Sequence, residues 1–173
     1  MSAIINKPDS EKKIEGYLAV YNKHSRPITE RGQTFLEIIS TGAFKPALKR
    51  GNEIVLTLNH DFNRVLASTK DGSLKLFEDT YGLRFVAYVT NELARNVHEL
   101  SARGNAVYCS FTFQTFDTEY IEYYDEKRGY PVKRINSFSK IYEGAILDAK
   151  TYPAYPHGTS ASARSLSGQL EPN

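Results

Sequence analysis

The chain has 173 residues, and its 22 basic and 20 acidic side chains leave a formal net charge of +2. This even balance disfavours a protein that binds nucleic acid through the phosphate backbone. No stretch approaches the roughly 20 apolar residues of a membrane span, and the N-terminus lacks the apolar run of a signal peptide. We therefore expect one globular domain that binds neither nucleic acid nor membrane.

The composition changes along the chain and predicts three segments. Residues 1–13 are polar and are predicted to form a flexible N-terminal segment. Residues 14–157 carry the patterned apolar runs and are predicted to form the folded domain. Residues 158–173 are rich in Ser, Ala and Gly, which is typical of a flexible C-terminal tail.

Alternating runs rich in Tyr, Phe, Val, Ile and Thr predict short β-strands through most of the domain. The clearest runs are 14–21, 35–39, 54–60, 83–89, 106–116 and 139–147. Residues 65–69 and 73–77 are predicted to pair as a hairpin around an Asp-Gly turn, and 120–134 as a protruding hairpin. Residues 42–48 suit a short helix.

One longer helix is predicted before the strand at 106–116. Asn91 is a plausible N-cap, Leu93, Val97 and Leu100 form an i, i+4, i+7 stripe, and Gly104 suits the position after the helix. Many short strands with one or two helices predict a mainly β fold, an antiparallel barrel or sandwich with helices attached.

Two segments carry side chains with the chemistry of a serine hydrolase. His60 ends one predicted strand, on the side of Leu56 and Leu58, and is a candidate general base. Ser110 lies on the polar face of a later strand and is a candidate nucleophile, which would need such a base. The alternatives are an ordinary surface or capping histidine and a solvated strand hydroxyl.

A third residue would have to orient the imidazole of the base. Glu143 and Asp148 are the late acidic candidates, and in a continuous strand they point to opposite faces. They cannot both face one histidine unless the strand bulges or ends between them. The alternative for each is an ordinary surface carboxylate.

Other chemistries have little support. Cys109 is a rival nucleophile, but it shares the face of Val107 and Phe111 and is predicted to be a buried, inert thiol. The four histidines are scattered, and the sequence has no CxxC or HExxH spacing. Because glycine-rich phosphate loops are also lacking, we predict neither a metal nor a cofactor.

Several segments stand in an order typical of one family. They are EGYLAVY (15–21), EIISTGAF (37–44), LNHD (58–61), GSLKL (72–76) with YGL (81–83), the helix with its glycine, CSFTF (109–113) and PAYP (153–156). In these segments the chain resembles the HK97-like prohead (capsid maturation) proteases of tailed bacteriophages. Each segment alone is weak evidence for the resemblance, but their common order and spacing make it specific.

The resemblance implies a serine endopeptidase with an antiparallel β-barrel ringed by short helices, similar to herpesvirus assemblins. It implies that Ser110 is the nucleophile and His60 the general base. The family's third residue matches Glu143, and Asp148 stays as the alternative. Ala145 stands where the family has Ser, and Thr112 where Gly is frequent.

The resemblance also implies substrates and a place of action. These are scaffold and propeptide segments of capsid proteins and the protease itself, inside an assembling procapsid in the bacterial host cytoplasm. Self-association into a homo-oligomer is left open. The alternative function is a non-catalytic β-barrel scaffold or assembly factor of a virion. An esterase is a third reading, but the chain has no Gly-x-Ser-x-Gly elbow.

Overall fold

The computed structural model describes residues 12–104, 108–116, 120–148 and 160–165, with only the backbone described for 120, 121 and 160–165. Within these residues the elements follow in the order β1 (Lys12–Val20), β2 (Ile28–Glu30), β3 (Gln33–Ile39), α1 (Lys45–Lys49), β4 (Val55–Leu58), β5 (Asp61–Ser68), β6 (Leu74–Glu78), β7 (Gly82–Tyr88), α2 (Glu92–Ala102), β8 (Tyr108–Thr115), β9 (Tyr120–Asp125), β10 (Tyr130–Ile135), β11 (Phe138–Leu147) and β12 (Ser160–Ser165).

The strands form three four-stranded sheets. Their orders are β12-β1-β7-β6, β2-β3-β10-β9 and β5-β4-β11-β8. The predicted mainly β class with few helices is confirmed. In the part of the chain that the structure describes, the sheets do not close into a barrel, and two strand pairs are parallel, β3 with β10 and β4 with β11.

At both ends of the predicted domain, the structure has strands in residues that were predicted to be flexible. β1 begins at Lys12, so it takes in the last two residues of the segment 1–13. β12 lies inside 158–173, which the sequence predicted to be a flexible tail, and it pairs antiparallel with β1. The boundaries 14–157 stay a prediction.

The predicted hairpin of 65–69 and 73–77 is wrong. β5 and β6 belong to different sheets, β5 beside β4 and β6 beside β7. The turn between them is held by side chains, since Ser73 Oγ accepts a hydrogen bond from Ser68 N at 2.9 Å and Asp71 Oδ1 accepts one from Ser73 N at 2.9 Å. An Asp-Gly turn therefore redirects the chain from one sheet to another here.

The longer helix is confirmed as α2. Asn91 is its N-cap, and its Oδ1 accepts a hydrogen bond from Ala94 N at 2.8 Å. The buried face differs from the predicted stripe, because Leu100 is exposed and His98 is buried beside Val97. No helix among the described residues is long and apolar enough to cross a membrane.

A cluster of phenylalanine rings packs against the inner face of the β5-β4-β11-β8 sheet. Phe138 stacks on Phe44 with ring centroids 4.6 Å apart, and it meets Phe111 and Phe113 edge-on at 5.6 and 4.8 Å. Such offset and edge-to-face pairs stabilise beyond their buried area. The cluster fixes which face of β8 points inward, and therefore which face carries Ser110.

Gly144 lies where β11 packs closely against β1, and we expect Gly144→Ala to destabilise the protein. An added Cβ would lie 2.6 Å and 2.9 Å from the two methyl carbons of Leu18, which is fully buried. The expected loss is about 1–3 kcal/mol of unfolding free energy, measured by urea denaturation. Leu18→Ala should make room for the new methyl, so the double variant should lose less than the sum of the single losses.

Candidate active site

Ser110 and Glu143 lie on strands of one sheet, and His60 and Asp148 lie next to strand ends of the same sheet. The strand β11 lies between β4 and β8. Ala145 of β11 pairs with Ser110 of β8 on one side and with Thr57 of β4 on the other. Glu143 stands two residues earlier and pairs with Thr112. The central strand is thus the common frame for the site.

The face of β8 that carries Ser110 is the one that the alternation predicts. Cys109 and Phe111 are buried in the main core, whereas Ser110 is half-buried and Thr112 is exposed. Side chains two residues apart in a strand share a face. Ser110 therefore lies on the same face as Thr112, away from the phenylalanine cluster.

His60 does not lie in a strand, and its predicted position beside Leu56 and Leu58 is wrong. β4 ends at Leu58, and Asn59 and His60 form a two-residue turn before Asp61, which pairs back with Leu58. Both turn residues have positive φ, +57° and +60°. Positive φ at both central positions is what a type I′ turn requires, and the twist of such a turn matches that of the strands it joins.

The turn places the histidine in a conformation that costs energy. A residue with a Cβ at positive φ is disfavoured by about 1 kcal/mol or more. Among residues other than glycine, Asn, Asp and His adopt this region most often. Strand alternation ends at such a turn, so it does not force the side chain of His60 onto the face of Leu56 and Leu58. The side chain instead contacts Glu143 on the outer face of the sheet, which is the face opposite the phenylalanine cluster.

Glu143 is buried and receives three hydrogen bonds. Its side chain is 1% exposed, whereas that of His60 is 36% exposed. Oε1 accepts from His60 Nδ1 and from Thr112 Oγ1, the latter at 2.9 Å, and Oε2 accepts from Thr57 Oγ1 at 2.8 Å. A buried carboxylate needs such partners, because it has lost its hydration. Its position differs from that of an ordinary surface carboxylate.

The contact with Glu143 defines the tautomer of His60. Because a carboxylate oxygen only accepts, Nδ1 of His60 carries the proton in this hydrogen bond. The second ring nitrogen, Nε2, is then the one that can accept a proton from another group. A donor at Nδ1 and an acceptor at Nε2 are what a histidine general base requires.

Asp148 lies one residue beyond β11 and contacts the turn instead of the imidazole. Its Oδ2 accepts a hydrogen bond from Asn59 Nδ2 at 2.9 Å, and its backbone N–H donates to Asn59 Oδ1 at 2.9 Å. The two acidic candidates therefore hold adjacent residues, Glu143 the histidine and Asp148 the asparagine.

A register shift between Ile141 and Glu143 explains the direction in which Glu143 points. The shift puts an extra residue into β11 opposite β8. As a result Ile141 packs in the same core cluster as Ile146, although five positions separate them and strict alternation would put them on opposite faces. Strict alternation would instead place Ile141 on the face of Glu143.

Within the part of the chain that the structure describes, the Ser110 hydroxyl makes no hydrogen bond with His60. The two residues nevertheless share the outer face of the sheet. Thr112 donates its hydroxyl to the same Glu143 oxygen that accepts from His60. Ser110 is two residues from Thr112 in β8, and two residues of strand span about 7 Å. Contacts between nucleophile and base are often long until a substrate is bound.

Cys109 is buried, as predicted. Burial raises the pKa of its thiol far above the ordinary value, so little thiolate forms at neutral pH. No group of His, Cys, Asp and Glu side chains among the described residues could hold a metal ion.

Three residues around the candidate site were missed by sequence reasoning, Thr57, Thr112 and Asn59. Thr57 is fully buried between Leu56 and Leu58, and a hydroxyl in a strand that is buried on both faces needs a partner. That requirement was a signal for Thr57. The partner of Asn59 lies 89 positions away, and nothing local in the sequence points to it.

A comparison with known protein families gives a match. A family model described as caudovirus prohead serine protease matches residues 2–171 of the 173-residue chain. A search of curated proteins finds no match. The matched region includes all four candidate site residues.

Proposed function

Because the chain belongs to the family of caudovirus prohead serine proteases, we propose that it is a serine endopeptidase that cleaves scaffold and propeptide segments of capsid proteins, and itself, during procapsid maturation. The single observation that carries the proposal is the hydrogen bond between His60 Nδ1 and the buried Glu143. It supplies a base of defined tautomer on the face that carries a serine.

In the proposed reaction Ser110 Oγ attacks the carbonyl carbon of a peptide bond, and His60 Nε2 takes the hydroxyl proton. The imidazolium that forms is stabilised by Glu143 at Nδ1. His60 then gives the proton to the leaving amine, and the C–N bond breaks to leave an acyl-enzyme. A water molecule, deprotonated by the same nitrogen, hydrolyses the ester and restores Ser110.

Thr57 and Thr112 support this role of Glu143. Their hydroxyls donate to its two oxygens at 2.8 and 2.9 Å, so the carboxylate is held from both sides of the strand. The remaining contact of Oε1 is with the imidazole. In this arrangement the carboxylate is oriented before any substrate binds, which lowers the reorganisation needed in the reaction.

The proposal is tested by co-expressing the chain with its capsid precursor and measuring the masses of the products in assembled particles. We expect shortened precursor with the wild-type chain and full-length precursor with His60→Gln. His24→Gln is the matched control, because His24 bonds to Tyr123 and does not contact Glu143. Full-length precursor in particles that contain the wild-type chain would contradict the proposal and favour a non-catalytic assembly role.

A further inference from the structure

The residue before the histidine makes three hydrogen bonds to the central strand and to the residue directly after that strand. Asn59 donates its backbone N–H to Ile146 O at 2.9 Å. Its side chain donates Nδ2–H to Asp148 Oδ2 and accepts from the backbone N–H of Asp148, both at 2.9 Å. Both ends of the amide are therefore used, and both bonds of the side chain go to one residue.

The geometry points to a positioning role for this pair. We propose that Asn59 and Asp148 form a clamp that holds the Asn59-His60 turn against the central strand, so that the imidazole meets Glu143 and Ser110 in register. This inference rests on the proposed function, because Ser110 and His60 are taken as its nucleophile and base. It assigns Asp148 to the turn and leaves the imidazole to Glu143.

Positive φ at both positions of the turn carries a conformational cost, so contacts outside the turn are needed to hold this conformation. The residues after the turn are loosely paired, since the β4–β5 register shifts twice between Leu56 and Leu58. Asn59 therefore ties the turn to β11, which pairs directly with β8 and so with Ser110. Glu143 lies on that same strand.

Loss of the clamp should lower the reaction rate, because catalysis depends on the exact position of the base. A displacement of about 1 Å in a catalytic group can cost on the order of a hundredfold in rate. Loss of the clamp should change the position of the base and leave the binding of substrate almost intact. We therefore expect a fall in kcat with a KM that changes by less than about threefold.

The first variant removes the side chain of Asn59 while keeping the backbone conformation. Asn59→Gly accepts positive φ and removes both side-chain hydrogen bonds. We expect kcat to fall about ten- to a hundredfold. Asn22→Gly is the matched control, because Asn22 also has positive φ, +55°, and bonds to Thr41 in a different turn. It should keep kcat within about twofold, since Gly accepts the same backbone conformation.

The decisive variant exchanges the two side chains. Asn59→Asp alone places two carboxylates against each other and should lower kcat at least as much as Asn59→Gly. In Asn59→Asp/Asp148→Asn the new amide at 148 can donate to the new carboxylate at 59, and the backbone N–H of 148 can still donate to it. We expect the double variant to recover most of the lost kcat, to within about fivefold of wild type, because the clamp contacts re-form.

Two kinetic results with the Asn59 variants would overturn the clamp. One is a wild-type kcat for Asn59→Gly, and the other is a double variant no better than Asn59→Asp. Asp148→Asn adds a check, because an amide oxygen still accepts from Asn59. The clamp predicts that most of the activity survives, whereas a carboxylate that orients the imidazole would lose on the order of 10⁴-fold on the same change.

A readout without substrate separates this inference from the proposed function. The proton that His60 Nδ1 donates to Glu143 should give a low-field NMR signal that His60→Gln removes. The signal should weaken in Asn59→Gly and return in the exchanged double variant. If the wild-type chain cleaves nothing but the signal behaves in this way, the proposed function fails and the clamp stands. If cleavage is normal and the signal is the same in every Asn59 variant, the clamp fails alone.

Discussion

Ser110→Ala is expected to abolish processing of a co-expressed capsid precursor. The change removes the only atom that we propose to attack the peptide bond, and loss of a serine nucleophile costs on the order of 10⁶ in kcat in a comparable catalytic unit. The fold should tolerate it, because Ser110 is half-buried and faces Ala145 across the strand pair. The fraction of shortened precursor, measured by mass spectrometry, gives the result.

Ser139→Ala is the matched control for this variant. Ser139 is also a half-buried strand serine, but its hydroxyl donates to the backbone oxygen of Gln114 at 3.1 Å. It should process the precursor at the wild-type level. If particles that contain Ser110→Ala are processed normally, Ser110 is not the nucleophile.

Glu143→Gln is expected to lower kcat by about 10³- to 10⁴-fold while the chain still folds. Gln has nearly the same shape, but its amide offers one acceptor oxygen where the carboxylate offers two. One acceptor oxygen cannot keep all three hydrogen bonds that Glu143 accepts from His60, Thr57 and Thr112. If the amide N–H pointed at the imidazole of His60, it would favour the tautomer with the proton on Nε2, which cannot act as the base. Single-turnover cleavage of a precursor-derived peptide measures the loss.

Glu53→Gln is the control for removal of a carboxylate. Glu53 also accepts a hydroxyl hydrogen bond, from Ser68 at 2.7 Å, but it is exposed and lies outside the site. Circular dichroism and urea unfolding of both variants separate a catalytic loss from a loss of fold. A properly folded Glu143→Gln that keeps kcat within tenfold of wild type would show that Glu143 does not orient the base.

Local patterns predicted the strand that carries Ser110 and the helix before it. Alternation depends only on the direction of successive side chains, so Cys109 and Phe111 on one side required Ser110 on the other. The cap at Asn91 is equally local, because its bond reaches only to Ala94. Such features are set within a few residues of chain.

The errors arose where long-range contacts decide the outcome. The alternation of Leu56, Leu58 and His60 predicts that His60 continues the strand. In the structure the pairing of β4 with β5 places His60 in the turn between them. The bulge in β11 cannot be read from its residues, because it depends on pairing with β8. The assignment of β5 and β6 to one hairpin failed for the same reason.

The measurement that tests the account most directly is labelling by a fluorophosphonate inside assembling procapsids, followed by peptide mapping. Assembly supplies the environment in which the protease is proposed to act. We predict one modified residue, Ser110, in the wild-type chain, and loss of that modification in His60→Gln but not in His24→Gln. Modification of a different residue, or equal labelling of Ser110 in His60→Gln, would contradict the proposed pairing of base and nucleophile.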